Sequence, residues 1–319
     1  MHPTFQILER HRDELDSHAC HYFDAPDLIP WLKKGDDSFT LNADESSSLS
    51  PLEPVWQTSE LNILFYPKAK ERLTWWLYQI QSALKNQQRI WVVGENDGGI
   101  KSLPKKLKGF FECEKLDTAR HCALFDLTPN PGISEQSFWT QYETNDLIIK
   151  ALPGVFSAKK LDTGTSVLLE HLPDIAAGNI LEMGSGSGVL ACELLKRHKE
   201  CTIDTYDVDL LAYQSSLATV TANNLNDQAT VYWANSASKL PTQRYQSIVT
   251  NPPFHKGIRT EYGPTETFFT QASERLVRGG KLVWVANDFL NYQNLIKDQF
   301  KSIKILAQTR GFKVYEAIK

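Results

Sequence analysis

The stretch Asn179-Ile180-Leu181-Glu182-Met183-Gly184-Ser185-Gly186-Ser187-Gly188 decides how this chain is read. Asn179-Ile180-Leu181 is a short apolar run expected to be a strand, and the pattern from Gly188 to His198 is that of a helix. Glycines between a strand and a helix permit a tight turn and let a ligand approach the backbone closely. The helix N-terminus adds unpaired N–H donors and a partial positive charge. A dinucleotide fingerprint places its third glycine one residue later, where Val189 stands. Together with Glu182, that shift favours S-adenosylmethionine over NAD as the ligand of Gly184, Gly186 and Gly188. A plain strand–helix turn is the alternative.

Working outward, Cys201 to Tyr206 reads as the next strand and ends at Asp207-Val208-Asp209, a little over 20 residues beyond Gly184. A carboxylate there accepts hydrogen bonds from both hydroxyls of a ribose. Asp207, nearest the strand end, is the candidate rather than Asp209. A helix from Leu210 to Asn223 and a strand from Ala229 to Trp233 follow. Asn235 then stands where an adenine edge would lie, although a turn asparagine would look the same.

Ser247 to Thr250 is a further strand, Glu266 to Arg275 a helix and Lys281 to Ala286 a strand. Ile303 to Gln308 and Lys313 to Ile318 flank Thr309-Arg310-Gly311-Phe312 as a hairpin. Such alternation implies a mostly parallel sheet with helices on both faces. The closing antiparallel hairpin marks the class I methyltransferase (Rossmann-like) variant of the α/β fold.

Asn251-Pro252-Pro253-Phe254 follows the strand Ser247 to Thr250 at once. An exocyclic amine is a poor nucleophile because its lone pair is delocalised into the ring. The side-chain carbonyl of Asn251 and the backbone carbonyl of Pro252 can accept its hydrogens. Pro252 and Pro253 fix the turn, and Phe254 offers a face for a base to stack on. Positioning then supplies much of the catalysis, and no strong base is needed. His255, Lys256 and Arg259 could contact phosphates around a flipped nucleotide, or simply form a solvated loop. Methylation at a pyrimidine C5 needs a nucleophilic thiol, and no cysteine lies near this loop.

The 319 residues suffice for two domains, and 41% apolar with 23% charged is an ordinary globular composition. No run of 18 apolar residues suggests a membrane span, and Met1 to Phe5 carries no apolar signal region. Cys20, Cys113, Cys122, Cys192 and Cys201 are odd in number and scattered, as expected of reduced thiols in the cytoplasm. His11, His18, Cys20 and His21 cluster in sequence, but their spacing fits no standard zinc site, so no metal is expected. The net charge of −4 does not advertise a nucleic-acid binder. Residues 1–150 carry 16 Lys/Arg against 22 Asp/Glu, net −6, and residues 151–319 carry 18 against 16, net +2. Basic groups of an RNA site are therefore expected mainly on the second half.

Residues 36–54 are rich in Ser, Asp and Pro and read as a surface loop. Thr128 to Ser134 reads as a linker, which gives domains at 1–130 and 131–319. The first half echoes the second. Leu61 to Lys68, a helical pattern through Trp76 and Leu84, and Arg89 to Asn96 repeat the order found from Ser247 to Asn287. Tyr66 stands where Asn251 stands in the second copy, and most of the loop from Phe254 to Arg259 is missing from the first. We read an internal duplication with the chemistry confined to the second copy.

Glu182 to Gly188, Asn251 to Gly257 and Gln308 to Tyr315 are similar to the bacterial small-subunit ribosomal RNA methyltransferase C family. So are Val92 to Asn96 and Leu152-Pro153-Gly154-Val155-Phe156-Ser157, so that the resemblance spans nearly the whole chain. It implies two methyltransferase-like domains, the first without cofactor binding and serving folding or RNA recognition. It further implies methylation of guanine N2 in 16S rRNA on the assembled 30S subunit. A monomer is expected. The tetrad alone would equally serve a guanine of 23S rRNA, an adenine N6 or a protein glutamine. An RNA-binding assembly factor with a vestigial pocket is the non-enzyme rival.

Overall fold

The computed structural model describes residues 1–43, 57–85, 88–130, 137–252, 263–290 and 296–319. The chain divides into two units: Met1–Leu41 with Glu53–Phe138, and Asn42–Leu52 with Trp139–Lys319.

The first unit runs α1 (Pro3–Glu9), α2 (Arg12–Ser17), β1 (Cys20–Phe23), β2 (Asp37–Phe39), β3 (Leu61–Phe65), α3 (Arg72–Ala83), β4 (Arg89–Glu95), α4 (Leu103–Lys106), β5 (Phe111–Ala119) and β6 (Cys122–Pro129). Its sheet has the order β2-β1-β3-β4-β6-β5. β1 to β4 pair in parallel, and β5 and β6 add an antiparallel hairpin. Every residue of β1 and β3 is buried, as uninterrupted apolar runs in a two-faced parallel sheet require. In α3, Leu73, Trp76, Leu77 and Ile80 recur at helical spacing and form the buried stripe.

The second unit runs β7 (Thr140–Thr144), β8 (Leu147–Ala151), α5 (Thr163–Glu170), β9 (Asn179–Met183), α6 (Val189–Arg197), β10 (Thr202–Asp207), α7 (Leu210–Ala222), β11 (Ala229–Trp233), β12 (Tyr245–Thr250), α8 (Gly263–Arg275), β13 (Leu276–Asn287), β14 (Ser302–Thr309) and β15 (Phe312–Ile318). β7 and β8 form a separate hairpin, and the main sheet has the order β11-β10-β9-β12-β13-β15-β14. Alternate residues feed two cores. Ile180, Val249 and Val283 pack with residues of α5, α6 and α7, whereas Leu181, Ile248 and Leu282 pack with residues of α8. Burying one such side chain contributes about 1.5–3 kcal/mol. Trp284 stacks on Tyr315 with centroids 4.8 Å apart and ties β13 to β15.

The two sheets share one strand order, the second having β11 in addition, which is the duplication expected from sequence. Three expectations are corrected. Residues 36–54 are not wholly loop, because Asp37–Phe39 is an edge strand parallel to β1; three residues are too few to show a period. Thr128 and Pro129 belong to β6 rather than to a linker, Pro129 ending that strand opposite Phe111 of β5 and beyond Leu127, the last β6 residue paired with β4; Pro131 to Ser134 lie outside the described residues. β13 starts at Leu276, not Lys281, because Gly279 at φ +78° takes up a register shift within the strand. Among the described residues no helix is long and apolar enough to cross a membrane.

Candidate active site

β9 and β12 lie side by side where the strand order of the second sheet reverses. In an open α/β sheet the crevice beyond the carboxyl ends of such strands is where ligands bind. Ile248 pairs with Leu181 and Val249 with Glu182, so the parallel register carries Gly184 and Asn251 out of the sheet as neighbours. Thr250 Oγ1 donates to the Met183 carbonyl at 2.7 Å and closes the pair of strand ends.

The glycine loop is held from below. The amides of Gly184 and Ser185 both donate to the Tyr206 carbonyl at 2.9 Å, which bends the chain back over β10. Gly184, Gly186 and Gly188 sit at φ +87°, +52° and +78°, a region side chains rarely adopt. A Cβ on Gly188 would lie 2.8 Å from Ser216 Oγ and 2.9 Å from its Cα, so this glycine is also required by the packing of α6 on α7. A Cβ on Gly184 would meet nothing within 4 Å, so that face of the loop opens onto space. Ser185 Oγ is buried there without a hydrogen-bond partner among the described residues. An open glycine face, a buried unspent hydroxyl and a helix N-terminus fit a ligand with a carboxylate and polar edges.

Asp207 and Asp209 differ in employment. Asp209 caps α7 and accepts from the amides of Leu211 and Ala212. Asp207 reaches the glycine loop, its Oδ2 accepting from the Gly186 amide at 2.9 Å and its Oδ1 from the Asp209 amide at 3.0 Å. Asn235 is exposed, just beyond β11, whose Trp233 pairs with Asp207. Asn42 forms an antiparallel bridge with Asp209, and Ala43 donates to the Val208 carbonyl at 2.7 Å. Nothing in the sequence around Asn42 announced this strand-like contact.

Glu182 is only 1% exposed, and burial pushes its carboxyl up to about 8; the hydrogen bond from Thr205 Oγ1 at 2.6 Å opposes that rise, and the charge of Asp207 adds to it. Near neutrality Glu182 is therefore mainly protonated. Cys192 is likewise pushed up to about 12, chiefly by burial, and no thiolate is on offer near the strand ends.

Asn251 is the group the site presents. Its Nδ2 donates to Thr165 Oγ1 at 2.9 Å and to Asp162 Oδ2 at 3.2 Å. A carboxylate oxygen only accepts, so the amide nitrogen must face Asp162. Oδ1 is turned the other way and takes no hydrogen bond among the described residues. Asp162 also caps α5 by accepting from the Thr165 amide at 3.0 Å, and Thr165 is 2% exposed. Neither residue was singled out from sequence, although Asp162 ahead of an apolar helical run has the form of a helix cap. The carbonyl of Phe156 would meet a Cβ on Gly186 at 3.3 Å, so the segment Leu152 to Ser157 lies against the glycine loop.

Pro252 is buried directly after Asn251, whereas Pro253, Phe254, His255, Lys256 and Arg259 lie outside the described residues. His11 is hydrogen-bonded to Asp117 and His21 to the Gln57 carbonyl. No His, Cys, Asp or Glu group among the described residues is arranged to hold a metal.

Residues 146–316 match the model of the methyltransferase small domain, and residues 6–142 match that of the methyltransferase small domain N-terminal region. The ribosomal RNA small subunit methyltransferase C of Yersinia enterocolitica is 38% identical over 99% of this chain and 95% of its own length. That of Photorhabdus laumondii is 33% identical over 99% and 98%. A T. thermophilus 16S rRNA N2 methyltransferase, solved in complex with AdoMet and guanosine, has the same fold, with a TM-score of 0.77 at 22% identity over 94% of this chain and 88% of that one. The identity of the curated relatives across both units shows that the chain belongs to the ribosomal RNA small subunit methyltransferase C family.

Proposed function

We propose that this chain transfers a methyl group from S-adenosylmethionine to the exocyclic N2 of a guanine in 16S rRNA, acting in the cytoplasm as a monomer on the assembled small subunit. The observation that carries the reading is that Gly184 and Asn251 leave adjacent strand ends, with the Asn251 carbonyl oxygen taking no hydrogen bond among the described residues. The names of its relatives and the ligands of the T. thermophilus protein support the substrate and the methyl donor.

Gly184, Gly186 and Gly188 give a ligand close access to the backbone, with Glu182 buried beneath them. Asp207 receives ribose hydroxyls, and Asn235 lies at the adenine edge. S-adenosylmethionine, when bound, supplies an electrophilic methyl group on a sulfonium. Asn251 Oδ1 and the Pro252 carbonyl accept the two hydrogens of guanine N2. That holds the amine and draws its lone pair out of conjugation with the ring. Pro253 rigidifies the turn, Phe254 stacks the base, and His255, Lys256 and Arg259 meet neighbouring phosphates. The amine proton leaves to water after transfer, so no strong base is needed. The first domain, residues 1–130, serves folding or RNA recognition, and residues 131–319 catalyse.

Labelled S-adenosylmethionine with small subunits, large subunits or free rRNA, followed by nucleoside identification, tests this. N2-methylguanosine from small subunits is the expected product. The same nucleoside from large subunits alone would move the target, and label in protein only would overturn an RNA substrate.

A further inference from the structure

We infer that Asp162 and Thr165, at the start of α5, are positioning residues that make Asn251 an obligate hydrogen-bond acceptor toward the substrate. The inference rests on the reading of Asn251 as the group that receives an amine. A free asparagine amide rotates between two nearly isosteric states, one offering oxygen and the other NH2. Only the first assists an amine. Here both amide hydrogens are engaged, one by Thr165 Oγ1 at 2.9 Å and one by Asp162 Oδ2 at 3.2 Å. Rotation would bring two oxygens, Asn251 Oδ1 and the Asp162 carboxylate, together with no proton between them.

The clamp is itself rigid. Asp162 Oδ2 is anchored by the Thr165 amide at 3.0 Å, and the Thr165 side chain is buried. A Cβ on Gly164 would lie 3.0 Å from Asp162 Oδ2 and from the Phe312 ring, so any side chain between the two clamp residues would press on the Asp162 carboxylate. The cap of one helix therefore sets which atom of Asn251 faces the amine, and so selects an NH2 donor over a carbonyl in the acceptor molecule.

The test is a substitution series at the clamp read as kcat, KM and cofactor Kd, with thermal melting as control. Asp162→Ala removes the oxygen that faces the Asn251 amide, and kcat should fall by about 10–100-fold, the scale of losses from misplacement, whereas Asp162→Asn can turn its one oxygen toward both the Thr165 amide and Asn251, as Oδ2 does in the native protein, and should keep most of the native kcat. KM for the RNA and Kd for S-adenosylmethionine should stay within about twofold. Asn251→Asp places two carboxylates against each other and should lose at least as much as Asp162→Ala. Thr165→Val should lower kcat, and Thr165→Ser should recover most of that loss.

A purely structural role for the cap does not predict a loss of kcat in Thr165→Val, which leaves the Asp162 cap in place, nor its recovery in Thr165→Ser. The inference is overturned if Asp162→Ala and Thr165→Val both keep the native kcat, or if Thr165→Ser recovers none of the Thr165→Val loss. These outcomes are distinct from failure of the proposed function. That failure shows in the native protein, as a product other than N2-methylguanosine, and the clamp variants can still be read on whichever amine is methylated.

Discussion

The two units are built on one strand order and differ at two strand ends. In the second, β9 leads through three left-handed glycines into α6, and β12 ends in Asn251. In the first, β1 leads into Asp24-Ala25-Pro26-Asp27, which has no glycine, and β3 ends in Tyr66. Tyr66 occupies its mouth: its hydroxyl accepts from Lys106 Nζ at 2.8 Å, and a Cβ on Gly94 would lie 2.5 Å from Tyr66 Cβ. The cores were kept while these loops diverged. The fold therefore lives in the buried strands, and the chemistry in a few residues beyond them.

The contrast can be broken or sharpened by substitution. Asn251→Ala should lower turnover by about 10³-fold, the upper range for losing one preorganised hydrogen-bonding partner. Single-turnover rates would show it, and cofactor affinity should survive.

Glu182→Gln should flatten the pH dependence of stability. Below about pH 4.5 the carboxyl is protonated in both folded and unfolded chains. As pH rises toward 8 the unfolded chain ionises first, so the native protein loses stability across that window. The loss should reach a few kcal/mol, at about 1.4 kcal/mol per tenfold difference in proton affinity. Denaturant melts of both proteins at several pH values would show whether the native slope disappears in the variant.

Asp207→Ala should weaken cofactor binding by about 1–3 kcal/mol, as expected for lost charge-assisted hydrogen bonds; calorimetry giving an unchanged Kd would refute its role. Gly188→Ala meets both an unfavourable φ and Ser216, and should cost about 2 kcal/mol of stability, more than Gly35→Ala in the first unit, which meets only the φ. Tyr66→Asn should not create a second cofactor site. It should cost only about 1 kcal/mol, mainly from the hydrogen bond with Lys106, and a gain of S-adenosylmethionine binding by calorimetry would contradict the comparison.

The second unit was legible because its signals are periodic or glycine-based. The strands about Ile180, Val231, Val249 and Val283, the glycine loop and the Arg310-Gly311 turn all carry local chemistry that demands them. The hairpins β5–β6 and β7–β8 passed unread because their turns, Arg120-His121 and Asn145-Asp146, adopt positive φ without a glycine. β13 was read too short because Gly279 and Gly280 look like a break, whereas the neighbouring backbone of Lys319 pairs with both. Asn251 could be picked out by sequence; its partners Asp162 and Thr165 could not, since 89 and 86 residues separate them from it and only the packing of α5 brings them there.

The central claim is that one of two duplicated units keeps the chemistry. Counting S-adenosylmethionine bound per chain by calorimetry tests it most directly. The account predicts one equivalent, lost or weakened by Asp207→Ala and untouched by Tyr66→Asn. Two equivalents, or one that ignores Asp207→Ala, would contradict it.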